Sequence, residues 1–373
     1  MNNPTILILT NSIGGLFSFR KEVVKAILED GYKVVIACPQ SEDAKSAYFI
    51  EIGCEMVDVV MERRGTNPLR DISLLRQYQR LIHSIKPIAV LSYTIKPNVY
   101  GGIAARRCRV PQLANITGLG DAIENPGLLQ KFTVGMYRFG LKKARMVFYQ
   151  NTSIQAFCKK HKIGNRGYLL PGSGVNLDWH TFQRYPVEDA VIKLNFIGRV
   201  MRDKGIEEFF EMAKNIREKY PQTEFHILGA CEEHYEAQLK DLQDKGVVVW
   251  HGAVPDVRSY IKDSWCTIHP SYHEGMANVL LETCAAGRPV IACNINGCKE
   301  AIDDGVNGFM CKVKDVKDLT EKVEQFILLP YEQKVQMAIA ARRKVEREFD
   351  RNLVINAYLE EIKKCTSTSS NAS

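Results

Sequence analysis

The sequence predicts an α/β protein with two domains, each built on a doubly wound parallel sheet. Three features predict this fold class: the length, the alternation of short apolar runs with helical patterns, and a break in that alternation near the middle. The chain of 373 residues is about two and a half times the length of a typical domain. A composition of 45% hydrophobic and 25% charged residues is that of a folded globular chain, which excludes disordered and fibrous classes.

In the first half, short apolar runs predict buried strands and stretches with a 3.6-residue period predict helices. The predicted strands are Thr5–Thr10, Lys33–Ala37, Ile88–Ser92, Gln112–Ile116 and Met146–Tyr149. The predicted helices include Phe17–Glu29, Asp71–Ile85 and Leu128–Leu141. Such alternation is typical of a parallel sheet covered by helices on both faces.

The alternation stops over Gly172–Asp178 and a polar segment ending near Ala190, and then restarts. The predicted strands of the second half are Ile192–Ile197, Glu224–Leu228, Gly246–Trp250, Cys266–His269 and Pro289–Ala292. The helices that follow them are Gly205–Lys219, Glu233–Asp244, Asp256–Ser264 and Ala277–Ala286. We therefore expect domains at 1–172 and 190–345, a C-terminal helix at 346–364, and a disordered Ser- and Thr-rich tail at 365–373.

Charge is distributed unevenly between the two halves. Residues 1–170 carry 24 Lys and Arg against 12 Asp and Glu, whereas residues 171–373 carry 26 against 31. A basic half can face nucleic acid, an anionic bilayer or a phosphorylated substrate, so the asymmetry alone names no partner.

The sequence also bears on cellular location. No apolar run approaches the length of a membrane span, and the start of the chain lacks a basic region followed by a cleavage site. The eleven cysteines include no Cys-x-x-Cys pair. We therefore expect a cytoplasmic protein with neither a membrane span nor a zinc site.

The first motif is the pair Gly14 and Gly15, between the first predicted strand and helix. Glycines at this position let a ligand approach backbone N–H groups at the carboxyl edge of a sheet. The Gly-x-Gly-x-x-Gly fingerprint is absent, and the second strand ends without an acidic residue, which disfavours a nicotinamide dehydrogenase. A simple tight turn is the alternative.

The second motif runs from Phe196 to Gly205, where the first strand of the second domain meets its helix. Arg199 and Lys204 are predicted to point to one edge of a crevice. The fork of an Arg and the point charge of a Lys together suit a diphosphate. A solvated loop is the alternative.

The third motif is a strand, loop and helix between His269 and Glu282. The loop carries Glu274, and Glu282 lies two turns further along, where a ribose diol is a suitable partner for a carboxylate in an apolar helix. The free N–H groups at the start of the helix predict an anion site. The residues that open it are Gly275, Met276, Ala277 and Asn278.

Together these motifs resemble the retaining GT-B glycosyltransferases of sequence family 4, over nearly the whole chain and most specifically in residues 194–310. Two further segments carry the resemblance: Asn296-Gly297-Cys298-x-Glu300 and Asp304-Gly305-x-Asn307-Gly308. The resemblance implies two Rossmann-like domains facing a cleft. It implies a nucleotide-sugar donor held mainly by the second domain, an acceptor held mainly by the first, and a C-terminal helix that crosses back to the first domain.

The resemblance also assigns roles. Arg199 and Lys204 would bind the donor diphosphate, and Glu282 the ribose. Glu274 and the N–H groups of Gly275–Asn278 would contact the sugar and the β-phosphate, while Gly14 and Gly15 would complete the donor site. Preorganised cations and N–H donors stabilise the charge on a departing nucleoside diphosphate, so Glu274, Arg199 and Lys204 are the expected catalytic residues. We expect no metal cofactor, because the sequence has no Asp-x-Asp pair for a cation.

A narrower resemblance lies in Phe17–Arg20, Tyr93–Gly101 and Ile116–Gly120. These segments look like bacterial enzymes that add a hexose or N-acetylhexosamine to a sugar on undecaprenyl diphosphate, including α-1,3-N-acetylgalactosaminyltransferases. By this resemblance Lys96 would pair with an acceptor phosphate, and Asn98 and Thr117 would hydrogen-bond the acceptor sugar. The full set of expected acceptor-site residues is Phe19, Arg20, Lys96, Asn98, Thr117 and Gly118.

Basic residues surround apolar ones in the predicted helices of the first half. An amphipathic basic surface can lie on an anionic leaflet, so we expect peripheral association with the inner face of the plasma membrane. Ordinary solvated helix faces are the alternative. The basic residues are Arg63, Arg64, Arg70, Arg76, Arg80, Arg106, Arg107, Arg109, Lys142 and Lys143, and the apolar ones include Leu74, Leu75, Leu81, Phe132, Met136 and Phe139.

The leading hypothesis is a metal-independent enzyme that moves a hexosamine or hexose (of the GalNAc, GlcNAc or Gal type) from a UDP-sugar to an undecaprenyl-diphosphate-linked saccharide. Its place would be the assembly of surface polysaccharide or protein glycans. A nucleotide-sugar epimerase, a phosphorylase or a GT-B enzyme with a soluble acceptor is a second hypothesis. A non-catalytic module for anionic lipid or nucleic acid is a third, although aromatic RNA-binding signatures are absent and no nucleic-acid partner is expected.

Overall fold

The computed structural model describes residues 3–39, 44–61, 67–118, 127–188 and 191–370, with the side chains of 367–370 left out. The chain divides into two compact units. Unit 1 comprises Met1–Ser173 and Asn352–Ser373, and unit 2 comprises Gly174–Arg351. Each unit is an α/β domain with one parallel sheet, as the sequence predicts.

Unit 1 contains a seven-stranded sheet with the order β3-β2-β1-β4-β5-β6-β7. Its strands are β1 (Thr5–Leu9), β2 (Lys33–Cys38), β3 (Glu55–Asp58), β4 (Ala89–Tyr93), β5 (Gln112–Ile116), β6 (Met146–Tyr149) and β7 (Gly167–Leu169). Its helices are α1 (Ile13–Glu29), α2 (Ala44–Glu51), α3 (Pro68–Ile85), α4 (Ile95–Arg107), α5 (Leu128–Gly140), α6 (Thr152–Lys160) and the C-terminal α13 (Arg351–Ser370).

The central strands of unit 1 are mostly apolar and are buried on both faces. Residues 6–9 of β1 are all fully buried, and β4 and β5 are buried throughout, as a sheet covered by helices on both sides requires. Side chains set the helix starts: Ser12 caps α1 by accepting from the Gly15 N–H, and Asn67 caps α3 with Pro68 in its first turn.

The C-terminal helix α13 packs into the core of unit 1 through Val354, Tyr358 and Ile362. The expected disordered tail at 365–373 does not begin at Cys365, which is fully buried in α13, and the helix continues through Ser370; residues 371–373 lie outside the described residues. Cys365 completes the apolar face of the helix, and its burial offsets the weak helix propensity of the Ser- and Thr-rich sequence.

Unit 2 contains a six-stranded sheet with the order β10-β9-β8-β11-β12-β13. Its strands are β8 (Ile192–Ile197), β9 (Thr223–Leu228), β10 (Val249–Trp250), β11 (Cys266–His269), β12 (Val290–Cys293) and β13 (Gly308–Cys311). Its helices are α7 (Ile206–Lys219), α8 (Glu236–Asp244), α9 (Arg258–Asp263), α10 (Asn278–Ala285), α11 (Val316–Leu328) and α12 (Tyr331–Glu348), and a 3₁₀ turn covers Arg202–Lys204.

The segment after Gly174 belongs to unit 2 and is not a linker. Val175 exchanges backbone hydrogen bonds with the end of the unit, donating to Phe349 O at 2.8 Å and accepting from the Arg351 N–H at 3.0 Å. Arg288, fully buried, donates to the carbonyls of Gln183 and Arg184 and fixes the stretch before β8. Unit 2 therefore extends beyond the predicted 190–345 at both ends.

Both sheets reverse their strand order at one place. In unit 1 the reversal lies between β1 and β4, which are paired, and in unit 2 between β8 and β11, which are also paired. Ligands of doubly wound sheets bind outside the carboxyl ends of the strands at this point. The loops after β1 and β4, and after β8 and β11, therefore hold the candidate ligand-binding residues.

Within the described residues, no helix combines the length and the apolar character that crossing a bilayer requires.

Candidate active site

In unit 2 the loop after β8 lies directly against the start of the loop after β11. A Cβ on Gly205, whose φ is +71°, would stand 2.1 Å from Pro270 O, so only glycine permits this approach. Asp203 O accepts from the Tyr272 N–H at 2.9 Å and from Ser271 Oγ at 3.3 Å. The Arg199–Gly205 motif is thereby held beside the Glu274 loop.

This arrangement brings Lys204 and Glu274 together. Lys204 Nζ lies 2.5 Å from Glu274 Oε1, and His269 Nε2 lies 2.8 Å from the same oxygen. The His269 side chain is 3% exposed and that of Glu274 is 12% exposed. Glu274 Oε1 is thus held by two donors from two neighbouring strand ends, and His269 is a member of the site that the sequence motifs do not single out.

The pairing governs the charge on Glu274. Burial alone raises the pKa of a carboxyl group, but the hydrogen bond and charge of His269, with those of Lys204, lower the pKa of Glu274 to about 2. The carboxylate is therefore ionised across the whole physiological range.

The Asn296–Glu300 segment supports the Glu274 loop from behind. A Cβ on Gly297, whose φ is +87°, would lie 2.6 Å from Glu274 O. Gly297 O accepts from the Ala277 N–H at 2.8 Å, and the Gly297 N–H donates to Glu300 Oε2 at 2.7 Å. The motif residues Gly297 and Glu300 thus fix the backbone on which Glu274 and α10 are built.

The start of α10 differs in one respect from the expected anion site. Ala277 is buried and its N–H is used by Gly297, so it does not face a ligand. The Asn278 N–H, the first of the helix, has no protein partner among the described residues, and Asn278 Oδ1 is buried without one. Gly275 and Met276 precede it in the loop, and both are partly exposed. Fewer N–H groups are therefore available to a ligand at this helix end than the full set expected from Gly275–Asn278.

Glu282 lies one turn into α10 and is half-buried. Burial raises the pKa of its carboxyl group to about 7; the charge of Arg351 opposes the rise and that of Asp256 adds to it. The pKa of Glu274, in the loop, is therefore lowered, and that of Glu282, in α10, is raised. At neutral pH the Glu274 carboxyl group is ionised and the Glu282 carboxyl group is about half-ionised.

Arg199 also stands at the carboxyl end of β8 but pairs with a different acid. Its Nη1 lies 2.7 Å from Glu232 Oε2, and its side chain is 55% exposed. Glu232 follows β9, the neighbour of β8 on the other side. The two expected phosphate-binding cations therefore share a sheet edge, but only Lys204 joins Glu274.

In unit 1, Gly14 and Gly15 form the first turn of α1 at the reversal of the sheet. The Gly15 N–H donates to the capping Ser12 Oγ at 3.1 Å, so it is not open to a ligand. Gly14 lies near Lys45, whose Nζ would be 3.4 Å from an added Cβ. A cation therefore lies beside Gly14, one of the two expected donor-site glycines.

The expected acceptor-site residues of unit 1 differ in burial and in their hydrogen-bond partners. Lys96 Nζ lies 2.8 Å from Asp71 Oδ1, and Tyr100 OH donates to Asp71 Oδ2 at 2.8 Å. Lys96 and Asp71 line a cavity of about 370 Å³ together with Arg70 and Met61. Lys96 is thus already compensated by a carboxylate.

The expectation that Asn98 contacts the acceptor is wrong. Asn98 is fully buried; its Oδ1 accepts from Ser92 Oγ and its Nδ2 donates to Asn115 O, each at 2.8 Å. The amide is consumed within the fold because α4 packs its first turn on β4 and β5. By contrast Thr117 and Phe19 are exposed, and an added Cβ on Gly118 would meet nothing within 4 Å.

Two expected surface residues are buried, and others cannot be placed. Arg20 is only 2% exposed, and Leu74 is a core residue. Arg63 and Arg64, with Leu119 and Gly120, lie outside the described residues. The expected Phe132 and Phe139 are exposed on α5, and Leu128 and Leu129 are exposed beside them.

Comparison with known proteins identifies the family of the chain. Residues 7–151 match the family model for glycosyl transferase 4-like domains, and residues 179–344 match that for glycosyl transferases group 1. The chain is 24% identical over 371 residues to the N,N'-diacetylbacillosaminyl-diphospho-undecaprenol alpha-1,3-N-acetylgalactosaminyltransferase of Campylobacter jejuni, covering 94% of this chain and 96% of the relative.

Solved structures share the fold at low sequence identity. A glycosyltransferase from Rickettsia africae aligns with a TM-score of 0.83 at 18% identity, over 98% of this chain and 99% of the other. HepE of Anabaena, solved in complex with UDP and glucose, aligns with a TM-score of 0.76 at 16% identity, over 97% and 100%. The chain therefore belongs to the GT-B glycosyltransferases with group 1 domains, and it is an enzyme that transfers a sugar.

Proposed function

We propose that the enzyme transfers a hexosamine or hexose from a UDP-sugar to a saccharide carried on undecaprenyl diphosphate. The observation that carries this proposal is the convergence of Lys204, His269 and Glu274 at the point where the unit 2 sheet reverses. The Campylobacter relative, whose name specifies an undecaprenol-linked acceptor, supports the acceptor class. The UDP complex of HepE supports the donor class.

In this proposal Lys204 changes partner when the donor binds. Lys204 Nζ leaves Glu274 for the diphosphate, where its charge and that of Arg199 stabilise the negative charge that grows on the leaving phosphate. The Asn278 N–H at the start of α10 adds a donor with the favourable sign of the helix dipole. His269 keeps Glu274 Oε1 in place, and Oε2, which makes no hydrogen bond in the described part of the chain, receives a sugar hydroxyl.

Glu282 fits the ribose. A half-buried carboxyl group with a pKa near neutrality gains hydrogen bonds when a diol donates to its ionised form. We infer retention of the anomeric configuration, with no metal required, from the resemblance of the 198–205 and 274–282 motifs to the retaining family.

The acceptor end of the proposal uses the first domain. Thr117 and Gly118 at the end of β5, and Phe19 on α1, are open at the carboxyl edge of the sheet. Helix α5 exposes Leu128, Leu129, Phe132 and Phe139 beside Lys131, Arg138, Lys142 and Lys143. Apolar side chains among cations suit an anionic bilayer, so α5 would hold the enzyme at the inner face of the membrane, where its acceptor is carried.

The test of function is a transfer assay. The purified enzyme is given UDP-GalNAc, UDP-GlcNAc, UDP-Gal or UDP-Glc with an undecaprenyl-diphosphate-linked saccharide, in the presence of EDTA, and lipid products are measured by mass. We expect one sugar mass added to the lipid. Release of free sugar or an epimer without consumption of the acceptor contradicts the proposal and favours the epimerase alternative.

A separate assay tests the membrane surface. The Leu128→Ser/Phe132→Ser variant should bind vesicles of phosphatidylglycerol several-fold more weakly, whereas Leu328→Ser, at an exposed leucine of unit 2, should bind like the unmodified enzyme. Equal binding by all three proteins contradicts docking through α5.

A further inference from the structure

The hydroxyl group of Tyr358, on the C-terminal helix α13, lies at the centre of a buried hydrogen-bond network in unit 1. Asn115 Nδ2 donates to the Tyr358 hydroxyl at 2.5 Å, and Gln150 Nε2 donates to Asn115 Oδ1 at 3.0 Å. The Tyr358 hydroxyl also shares a hydrogen bond with that of Tyr93, which is hydrogen-bonded in turn to Arg20. These five side chains, the Tyr358 network, are each at most 4% exposed. The network therefore links α13 to α1, β4, β5 and the residue after β6.

Three of the residues that Tyr358 contacts lie in one row across the sheet. Tyr93 is directly opposite Asn115 in the pairing of β4 with β5, and Asn115 is opposite Phe148 in the pairing of β5 with β6. The centre of the Tyr358 ring lies 4.5 Å from that of Phe148 and 6.3 Å from that of Tyr93. Because residues opposite each other on neighbouring strands project from the same face, one side chain of α13 contacts all three strands.

Packing alone does not require a hydroxyl group at position 358. Val354, Ile362 and Cys365 of the same helix are fully buried and already form an apolar face against the core of unit 1. An apolar ring would fill the same space without a polar group to desolvate, and desolvation offsets most of what a buried hydrogen bond contributes. A connected polar network does favour one arrangement of its members, because a displaced member leaves a buried donor or acceptor unpaired.

Two members of the Tyr358 network are sequence neighbours of open residues at the carboxyl edge of the sheet. Asn115 lies two positions before Thr117, which is exposed, and Arg20 follows Phe19, whose side chain is 42% exposed. Arg20 Nη1 donates to Phe19 O at 2.6 Å, so the network holds the backbone at Phe19 directly. Phe19, Thr117 and Gly118 are the residues that the proposed function assigns to the acceptor. The network therefore fixes the backbone that carries them.

We propose that Tyr358 is a positioning residue for the acceptor site. Because it is fully buried, it does not touch the acceptor; it acts through Asn115 on the end of β5, and through Tyr93 and Arg20 on α1. This inference rests on the proposed function, since the acceptor is there assigned to the carboxyl edge of the unit 1 sheet. It gives the C-terminal helix a part in acceptor recognition that is separate from the donor residues of unit 2.

The first measurement separates acceptor kinetics from donor kinetics. Tyr358→Phe keeps the ring and removes the hydroxyl, so KM for the undecaprenyl-diphosphate-linked saccharide should rise about 3- to 10-fold, as the loss of one hydrogen bond does. KM for the UDP-sugar should change less than about twofold. Gln150→Met should raise the acceptor KM in the same direction. The double variant should raise it by less than the product of the two single effects, because both residues act through Asn115.

Tyr32→Phe is the matched control. Tyr32 OH and Thr366 Oγ1, 3.3 Å apart, form another hydrogen bond between α13 and the rest of unit 1, but Tyr32 directly precedes β2 and so lies at the amino edge of the sheet. This variant removes the same chemical group from the same helix contact, and both KM values should stay within about twofold of those of the unmodified enzyme. Equal rises of the acceptor KM in Tyr358→Phe and Tyr32→Phe would show that a loosened helix, and not the network, weakens acceptor binding, which overturns the inference.

The second measurement needs no turnover. Hydrogen exchange, followed in overlapping peptides by mass, should be about 3- to 10-fold faster at the amides of Asn115, Ile116 and Thr117 in Tyr358→Phe, and unchanged there in Tyr32→Phe. Unchanged exchange at these amides, or faster exchange with an unchanged acceptor KM, overturns the inference. If the exchange pattern holds but the unmodified enzyme adds no sugar to the lipid-linked acceptor, the proposed function fails and the positioning of this edge by Tyr358 stands.

Discussion

Lys204 Nζ and Glu274 Oε1 lie 2.5 Å apart although the two residues belong to different loops, 70 positions apart in the sequence. The contact exists because β8 and β11 are neighbours and Gly205 lets their loops touch. The first prediction concerns this ion pair between the two loops.

Removing either partner should reduce turnover strongly. We expect Glu274→Gln and Lys204→Met each to lower kcat/KM by about 10²- to 10³-fold, the cost of losing one preorganised electrostatic group. The double variant should lose less than the product of the two, because the groups act together. The control is the exposed pair Glu211 and Lys214, whose variants Glu211→Gln and Lys214→Met should retain activity. Activity within threefold in either site variant contradicts the assigned roles.

Acid should remove the stabilisation that Glu274 provides. Its pKa in the folded protein is about 2, below the ordinary 4.5, so the stabilisation is complete above pH 4.5 and is lost as the pH falls toward 2. The difference in urea midpoint between the unmodified enzyme and Glu274→Gln should therefore shrink between pH 5 and pH 2.5. All three tryptophans lie in unit 2, at 179, 250 and 265, so their fluorescence reports the relevant unit. A difference that stays constant with pH would refute this charge assignment.

Donor binding should release a proton from Glu282. Its raised pKa, about 7, means that the folded protein holds this proton between pH 4.5 and 7, and hydrogen bonds from a ribose favour the ionised form. UDP titrations at pH 6 in two buffers of different ionisation enthalpy should show release by the unmodified enzyme. Glu282→Gln should show none; equal release by both proteins places the proton elsewhere.

The raised pKa of Glu282 also sets a direction for stability. The free energy of unfolding contributed by this group falls as the pH rises from 4.5 through 7, because the unfolded chain ionises more easily. Glu282→Gln should therefore gain stability relative to the unmodified enzyme above pH 7 and lose that gain below pH 5.

Gly297 should be essential to the position of Glu274. Gly297→Ala places a Cβ 2.6 Å from Glu274 O and should lower kcat by about tenfold or more, since displacement of a catalytic group by about 1 Å is costly. Gly246→Ala is the matched control: its φ is also positive, at +66°, but nothing lies within 4 Å of the added Cβ. Both variants should lose stability from backbone strain, and Gly297→Ala should lose more because its Cβ overlaps Glu274 O. Equal activities would show that Gly297 serves backbone conformation alone.

His269 should act as a positioning residue through Glu274. His269→Leu removes one of the two donors on Glu274 Oε1, so kcat should fall about tenfold while KM for the UDP-sugar changes less than threefold. His269→Gln, whose amide can donate to the same oxygen, should recover part of kcat. A rise in KM with kcat unchanged in His269→Leu would show that His269 serves binding only.

Much of the fold follows from hydrophobic periodicity, and the exceptions have physical causes. The strands β5 and β8 are predicted to the residue, because apolar residues dominate each short run and helical patterns flank it. β7 is three residues long and wholly exposed, so it carries no apolar signal. The sequence does not predict helix α4, because Gly101 and Gly102 interrupt its apolar pattern. Their missing side chains let the helix approach Leu9 and Gln112.

Motifs and the positions of strand ends predict part of the site, namely which residues lie in the loops at the edge of the sheet. Lys204 and Glu274 are correctly placed by sequence at neighbouring loops, because the carboxyl ends of parallel strands meet at one edge. The burial of Asn98 and the role of His269 are not visible in the sequence, because both depend on which polar partner the folded chain places opposite them.

The most direct test of the central claim is a crystal structure of the enzyme with UDP. We predict a phosphate oxygen within hydrogen-bond distance of Lys204 Nζ, with Lys204 withdrawn from Glu274 Oε1, and the ribose hydroxyls on Glu282. UDP bound away from the carboxyl ends of β8 and β11, with Lys204 still paired only to Glu274, would contradict the account.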